Sequence, residues 1–264
     1  MFYNILAIFR KELQSYFGSP LAYVIAAVFW FISGFFFVNV LLGPQGVIQQ
    51  IAQNEQLGLP SPPVDVAYEF QRFFFGVMGS LVLFILPMLS MGLYAEERKR
   101  GTLELLATSP ITNWAVALGK LMGVLFFFMT LLVPIVIYEA IAFSGANPPV
   151  PPLVPLLAHL GLILLAASVL SLGMFISSLT DSTILAAILT FSLILMLWVV
   201  DLVALLVGGP LGAALGTSFL CWSDYNNFVQ GIFDPAGLVL FASYIILGLF
   251  LTAQAIEALR FQRA

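Results

Sequence analysis

The segment Glu96–Pro110 reads Glu-Glu-Arg-Lys-Arg-Gly-Thr-Leu-Glu-Leu-Leu-Ala-Thr-Ser-Pro. It is the densest charged stretch of a 264-residue chain in which only 8% of the residues are charged. Long apolar runs precede and follow it. A chain this poor in charge exposes such a segment to water on one side of a membrane, where another protein can dock.

The composition indicates an integral membrane protein. Hydrophobic residues make up 61% of the chain, and the mean hydropathy is +1.08. A soluble domain carries about a quarter charged residues, so the apolar bulk of this chain must face lipid. The single Cys221 permits no intrachain disulfide, and the single His159 rules out a cluster of histidine metal ligands. We expect no directly bound cofactor or metal.

Six apolar runs have about the 20 residues that a helix needs to cross the hydrocarbon core. The predicted spans are Leu21–Leu42, Phe73–Ala95, Ala115–Ala142, Leu153–Leu179, Ile184–Val207 and Ala236–Ala258. The sequence therefore predicts an all-α polytopic membrane protein with six transmembrane helices in one domain, residues 1–264.

Basic residues predict the orientation of these spans. Eight of the nine Lys and Arg residues fall on one side, and only Arg72 falls on the other. The eight are Arg10, Lys11, Arg98, Lys99, Arg100, Lys120, Arg260 and Arg263. Because basic loops stay in the cytoplasm, both termini are predicted to be cytoplasmic.

The segments between the spans complete the predicted domain. An amphipathic interfacial helix, Phe2–Phe17 within residues 1–20, places Phe2, Ile5, Leu6, Phe9, Leu13, Tyr16 and Phe17 on one face. Residues 21–95 hold spans one and two with an external loop, 43–72, that includes a short helix near Asp65–Arg72. The cytoplasmic coupling segment is 96–114, and spans three to five occupy 115–207. External re-entrant helices are expected in 208–235, before span six and a tail in 236–264.

Enzymatic chemistry is not predicted for this chain. No phosphate-binding G-x-x-x-x-G-K-[ST] motif occurs, because Gly119-Lys120 is followed by Leu121. His159 is expected to be packed or interfacial. Glu139 and Asp201 lie near the external ends of their spans, where they either reach headgroups and external water or form a polar pathway or proton relay.

The charged segment has its own predicted local structure. Glu96–Arg100 extends span two into water, Gly101 breaks the helix, and Thr102 begins a short helix that Pro110 ends. Physical reasoning leaves two interpretations open. Either the short helix only lies on the membrane surface, or it transfers motion from a soluble motor.

A family resemblance favours the second interpretation. Glu96–Pro110, followed by Gly119-Lys120, resembles the signature of type-2 ABC exporter permeases, in which the E-x-x-x-G-T-x-E-x-L-x-x-x-P segment is the coupling helix. The interfacial helix, the six-span layout and Phe228-Val-Gln-Gly-Ile-Phe-Asp234 are also similar to that family. The short coupling loop and the external motif most resemble permeases of gliding motility and nitrous-oxide-reductase maturation.

The resemblance implies specific partners. They are a cytoplasmic ABC ATPase that binds ATP and Mg, a second permease in a homodimer or heterodimer, and the lipid bilayer; no nucleic acid is expected. It also implies residue roles: ionic contacts for Glu97 and Arg98, a hinge at Gly101, and an external motif with Gly231 and Asp234. The docking segment comprises Thr102, Leu103, Glu104, Leu105, Leu106 and Pro110.

The predicted function is that of a permease subunit, not an enzyme, which couples ATP hydrolysis by a separate chain to export or mechanical work. Two alternatives remain. One is a proton-coupled secondary transporter that uses Glu139 or Asp201. The other is a non-transporting membrane scaffold for motility or for maturation of an extracytoplasmic protein.

Overall fold

The computed structural model describes residues 2–44, 46–56, 66–103, 111–146, 149–207 and 221–261. Within those ranges the chain forms helices and connecting turns, without a strand. The helices are α1 (Phe2–Gly18), α2 (Pro20–Leu42), α3 (Val47–Gln56), α4 (Val66–Ser90), α5 (Gly92–Lys99), α6 (Asn113–Ser144), α7 (Leu153–Leu179), α8 (Thr183–Val207), α9 (Cys221–Val229) and α10 (Pro235–Phe261).

Six helical stretches in the described ranges are long and apolar enough to cross a membrane. They are α2, α4 with its continuation α5, α6, α7, α8 and α10. The predicted all-α fold with six candidate spans is therefore confirmed. Helix α4 begins at Val66, so the short helix expected near Asp65–Arg72 is the first part of α4. Its first turns contribute Phe70 and Gln71 to the buried interior, which explains why the helix is already formed there.

The segment expected to be an external loop, 43–72, contains a further helix. Helix α3 places Val47, Ile48 and Ile51 at helical spacing, in a stretch without Gly or Pro. It contacts α2 and α4. The many glutamines of this stretch favoured a loop prediction, yet glutamine is a good helix former.

Helix α7 is the centre of the bundle. It packs against α4, α6, α8, α9 and α10. Its contact with α10 is close, because a Cβ atom at Gly248 would lie 2.6 Å from the backbone carbon of Ser171. Ser168 and Ser171 donate hydrogen bonds to the carbonyls of Phe241 and Tyr244 on α10. Small residues and serine hydroxyls are the usual means of joining helices in lipid, where apolar burial gives little driving force.

Candidate functional site

The connection between α4 and α5 is held by one serine of α7. Helix α4 ends at Ser90, and α5 starts at Gly92. The Ser177 hydroxyl donates a hydrogen bond to the Met91 carbonyl at 2.8 Å, and it accepts bonds from the amides of Tyr94 and Ala95. The predicted rigid extension of span two is thus a separate short helix that is anchored to α7.

Helix α5 ends in a Schellman motif that requires the glycine at position 101. Gly101 has a φ of +71°, a left-handed conformation that costs other residues about 1–2 kcal/mol. The Gly101 amide donates to the Arg98 carbonyl, and the Thr102 amide donates to the Glu97 carbonyl. These two bonds define the motif. The Thr102 hydroxyl also donates to the Glu97 carbonyl, so Thr102 caps the end of α5.

The predicted docking residues divide into two groups. Leu103, one of the predicted docking residues, is 6% exposed and packs in the core of the bundle. Leu103 directly follows the Schellman motif, and its burial fixes this point of the chain to the bundle. Glu104, Leu105, Leu106 and Pro110 lie outside the described residues.

A buried lysine lies at the centre of the charged end of the bundle. Lys120 of α6 is 1% exposed, and its ammonium group donates two hydrogen bonds and makes one further ion pair. It lies 2.8 Å from the Glu12 carboxylate, 3.0 Å from the Glu97 carboxylate and 2.8 Å from the Leu93 carbonyl. An ammonium group has three N–H donors, so its three oxygen partners match its donors in number. The Lys120 nitrogen also lies 4.9 Å from the centre of the Tyr94 ring.

Lys11 completes a charge network of four residues, Lys11, Glu12, Glu97 and Lys120. Its ammonium nitrogen lies 2.7 Å from the Glu97 carboxylate and 3.4 Å from that of Glu12. Partial burial opposes the charge of Lys11, but the hydrogen bond and negative charge of Glu97 raise its pKa above the ordinary value. The two lysines and two glutamates balance, as buried charges must to offset their desolvation. The network connects α1, α5 and α6.

Arg98 attaches the end of α5 to α7. Its guanidinium donates a hydrogen bond to the Ser178 carbonyl at 3.0 Å. That bond is next to the Ser177 contacts and attaches the end of α5 to α7. Arg98 therefore positions α5 from one side, while Glu97 links the same helix to α1 and α6 on the other.

Helix α1 packs directly on the start of α6. A Cβ atom at Gly119 would lie 2.9 Å from the Ile8 Cβ, and one at Gly123 would lie 2.7 Å from the Glu12 Cβ. Gly119 and Gly123 form a G-x-x-x-G pair that allows this close approach. Helix α1 was predicted to lie along the membrane surface, and the structure adds that one of its faces is buried against α6.

Sequence reasoning missed Glu12 as a site residue and treated Lys120 only as a marker of orientation. A signal was present for each residue. Glu12 follows Ile5 and Ile8 at helical spacing on the apolar face of α1, where a carboxylate requires a cation. Lys120 falls between Gly119 and Leu121 within a predicted span, where a charge also requires a partner. Their pairing across 108 positions was not visible in either local pattern.

The two residues of the external motif have structural positions at the ends of helices. Gly231 has a φ of +76° and ends α9 in a second Schellman motif, with the Gly231 amide on Phe228 and the Ile232 amide on Asn227. The Asp234 carboxylate accepts a hydrogen bond from the Ala236 amide and so caps α10, whose first residue is Pro235.

Helix α9 lies against the bundle. Tyr225 is fully buried, and its hydroxyl donates to the Phe75 carbonyl of α4. Phe228 packs at Gly161 of α7, where a Cβ atom would lie 2.6 Å from the Phe228 Cβ. Residues 208–220 of the expected re-entrant segment lie outside the described residues.

The structure brings Glu139 and His159 together. Glu139 is 3% exposed and lies 3.3 Å from the His159 ring nitrogen Nδ1. His159 also stacks edge-on against Phe75 with ring centres 5.1 Å apart, which agrees with the packed histidine expected. Asp201 lies in α8, and its side chain is outside the described part of the chain.

The fold and this site define a multi-pass helical membrane protein with a buried charge network at one end of its bundle. The family model described as ABC-2 family transporter protein matches residues 6–230. Because the match covers most of the chain, the chain belongs to this family and is the membrane permease component of an ABC transporter. Such permeases are typically non-catalytic and imply an ABC ATPase partner. A search of curated proteins gave no match.

Proposed function

We propose that this permease couples ATP hydrolysis by a separate cytoplasmic ATPase to export or mechanical work across the membrane. The observation that carries the proposal is the charge network in the last turn of α5. This network joins α5 to α1 and α6. A force on residues 101–110 would act on α5 through the Schellman motif and on α1 and α6 through Glu97 and Lys120.

In this proposal the docking surface is the part of the coupling segment that follows Leu103. Glu104 would make a polar contact with the ATPase, while Leu105 and Leu106 would fill an apolar groove, and Pro110 would end the contact helix. Leu103, being buried, would connect this helix to the core. Gly101 would act as the hinge, because its left-handed backbone marks the boundary between α5 and the docking surface.

The proposed orientation places α1 and the coupling segment in the cytoplasm of a bacterial inner membrane. Support comes from the basic residues, because Arg10, Lys11, Arg98, Lys99 and Arg100 lie on elements that meet at the charge network. Basic residues near spans are retained on the cytoplasmic side. Helix α1 would then lie at the cytoplasmic surface while it packs on α6.

A second permease, identical or related, is proposed to pack against α8. Among the described residues, α8 is the least buried of the six candidate spans. Ile188, Met196 and Trp198 are among its large exposed apolar residues. Together with the segment 208–235 of each permease, α8 would line the exit path. The apolar lining favours lipidic or lipid-linked cargo over small polar solutes.

The kind of work done is proposed from the short coupling loop and the external motif. If the chain belongs with the permeases of gliding motility or nitrous-oxide-reductase maturation, the motor would act on a protein outside the membrane, with no small substrate. Stimulation of ATPase turnover by an external protein partner would support that version. Transport that survives ATP depletion in the presence of a pH gradient would instead support a proton-coupled transporter.

The test of the docking proposal is Leu105→Asp in the complex with its ATPase. We expect loss of co-purification, because truncation of a central apolar anchor costs about 2 kcal/mol or more and an added charge costs further. Glu96→Gln is the control, since Glu96 is exposed and pairs only with exposed Arg100 among the described residues. Retained association and ATPase stimulation in Leu105→Asp would refute the docking assignment.

A further inference from the structure

We propose that the groove between α6 and α7 binds a membrane lipid with a primary ammonium headgroup, held by Glu139 and His159. The two residues lie at the end of the bundle opposite the charge network. Glu139 is near the end of α6 that is farther from Lys120. His159 is near the start of α7, whose opposite end contacts α5 through Ser177. The proposal is independent of the ATPase coupling and concerns a second site in the permease.

The polar pair offers two free acceptors. His159 Nδ1 lies 2.9 Å from the Pro155 carbonyl, which only accepts, so Nδ1 carries the proton. In the neutral ring, Nε2 is then an acceptor. His159 Nε2 and Glu139 Oε1 are buried, and neither has a hydrogen-bond partner in the described part of the chain. A ligand that satisfies both must donate hydrogen bonds, and positive charge on it would balance the carboxylate.

The groove beside this pair has the form of an acyl-chain site. Its volume is about 470 Å³, and apart from Glu139 and His159 its lining is apolar. From Glu139 to Met129 it follows α6 for about 15 Å. Met129, Val133 and Val136 are 40–54% exposed, so the groove is open along its side, where the bilayer would lie. An acyl chain can enter sideways while its headgroup stays beside Glu139.

The depth of the pair matches a lipid headgroup. Helix α6 has 32 residues and is about 48 Å long, whereas the hydrocarbon core is about 30 Å thick. Glu139 is five residues from the end of α6 at Ser144, or about 7 Å along the axis. If α6 is centred in the bilayer, Glu139 lies near the boundary between headgroups and acyl chains, where the amine of a lipid is within reach.

Other occupants fit less well. A free anion is itself an acceptor and would leave both groups without a donor. A quaternary ammonium carries positive charge but has no N–H for the two acceptors. A metal ion would need more ligands, and the described residues contain no group of three or more His, Cys, Asp or Glu that could hold one. Water alone would leave the apolar groove unfilled.

The test compares two lipids with identical acyl chains, phosphatidylethanolamine and phosphatidylcholine, which differ only in methylation of the amine. The purified permease is taken from nanodiscs that contain both lipids in equal amounts, and retained lipids are counted by native mass spectrometry. We expect about a tenfold or greater preference for the ethanolamine lipid, because hydrogen bonds to a charged group discriminate at that level. Glu139→Gln should reduce this preference about tenfold.

Two controls keep the result interpretable. Glu69→Gln removes a partly exposed glutamate that pairs with Arg72 outside the groove, and it should leave the preference unchanged. A photoreactive residue at exposed Leu156 in otherwise wild-type protein should capture the ethanolamine lipid, even if Glu139→Gln fails to fold. Equal retention of the two lipids, an unchanged preference in Glu139→Gln, or capture of a second copy of the chain at Leu156 would each overturn the proposal.

Discussion

At the scale of single residues, Lys120 is a buried cation whose charge is balanced by nearby carboxylates. Its ammonium has three oxygen partners, two of which are carboxylates from different helices. Glu12 belongs to α1 and Glu97 to α5. The positive charge of Lys120 compensates these two carboxylates, which would otherwise repel each other. Removal of the ammonium group leaves buried carboxylates without a full countercharge, and removal of a carboxylate does the same to the ammonium group.

Replacement of Lys120 by methionine should therefore destabilise the permease by about 3 kcal/mol. Methionine has similar length and suits an apolar helix, so the loss reports on charge and not on volume. Thermal unfolding in detergent measures the change, and Lys99→Met, at an exposed position of α5, is the matched control. A melting temperature that is the same in the two variants would contradict the assigned role of Lys120.

At the scale of elements, the contact of α1 with α6 determines how the first helix can move. Glycines at positions 119 and 123 bring the two backbones together, and Glu12 and Lys120 pair across the same contact. The Tyr16 hydroxyl donates to the Leu89 carbonyl at the end of α4, which adds a third attachment. Helix α1 is therefore part of the bundle and should follow displacements of α6.

Gly123→Ala tests this packing through the sign of its effect. Alanine normally stabilises a helix by about 0.5–1 kcal/mol relative to glycine. At position 123 the added Cβ would overlap Glu12, so we expect destabilisation by about 1–3 kcal/mol. Gly76→Ala in α4 is the control, because no atom lies within 4 Å of a Cβ there. Equal melting temperatures for the two alanine variants would show that α1 is not tightly packed.

Most of the elements could be predicted because their signals are local. Apolar run length gave the six candidate spans, and Gly101 and Gly231 each occupy a helix end that requires a left-handed residue. Long-range contacts could not be predicted in this way. The pairs Glu12–Lys120 and Glu139–His159 depend on how helices pack side by side, which no periodicity within one helix reports.

At the scale of the whole molecule, the bundle has a charged end and an opposite end with a carboxyl–imidazole pair. The charge network joins α1, α5 and α6 at the first, while α9 and the Glu139–His159 pair lie at the second. This polarity is the basis for the proposed orientation and for the separation of a motor-facing end from a lipid-facing groove.

The orientation predicts which cysteines a membrane-impermeant maleimide reaches. In a Cys221→Ser background, Ser144→Cys at the end of α6 should be labelled in right-side-out membrane vesicles. Ser15→Cys on α1 should be labelled only after permeabilisation; both serines are exposed in the bundle. Labelling of Ser15→Cys before permeabilisation would reverse the orientation and remove the coupling segment from the cytoplasm.

The central claim is that the charge network transmits the action of the ATPase to the bundle. The most direct measurement is the permease-dependent stimulation of ATPase turnover in the reconstituted complex, for Glu12→Gln against Glu96→Gln. Glu12 lies on α1, and Glu96 precedes the proposed docking surface in the chain, so we expect ATPase binding to be unchanged in both variants. We predict that stimulation falls about fivefold or more in Glu12→Gln and is retained in Glu96→Gln. Full stimulation in a folded Glu12→Gln complex would contradict the account.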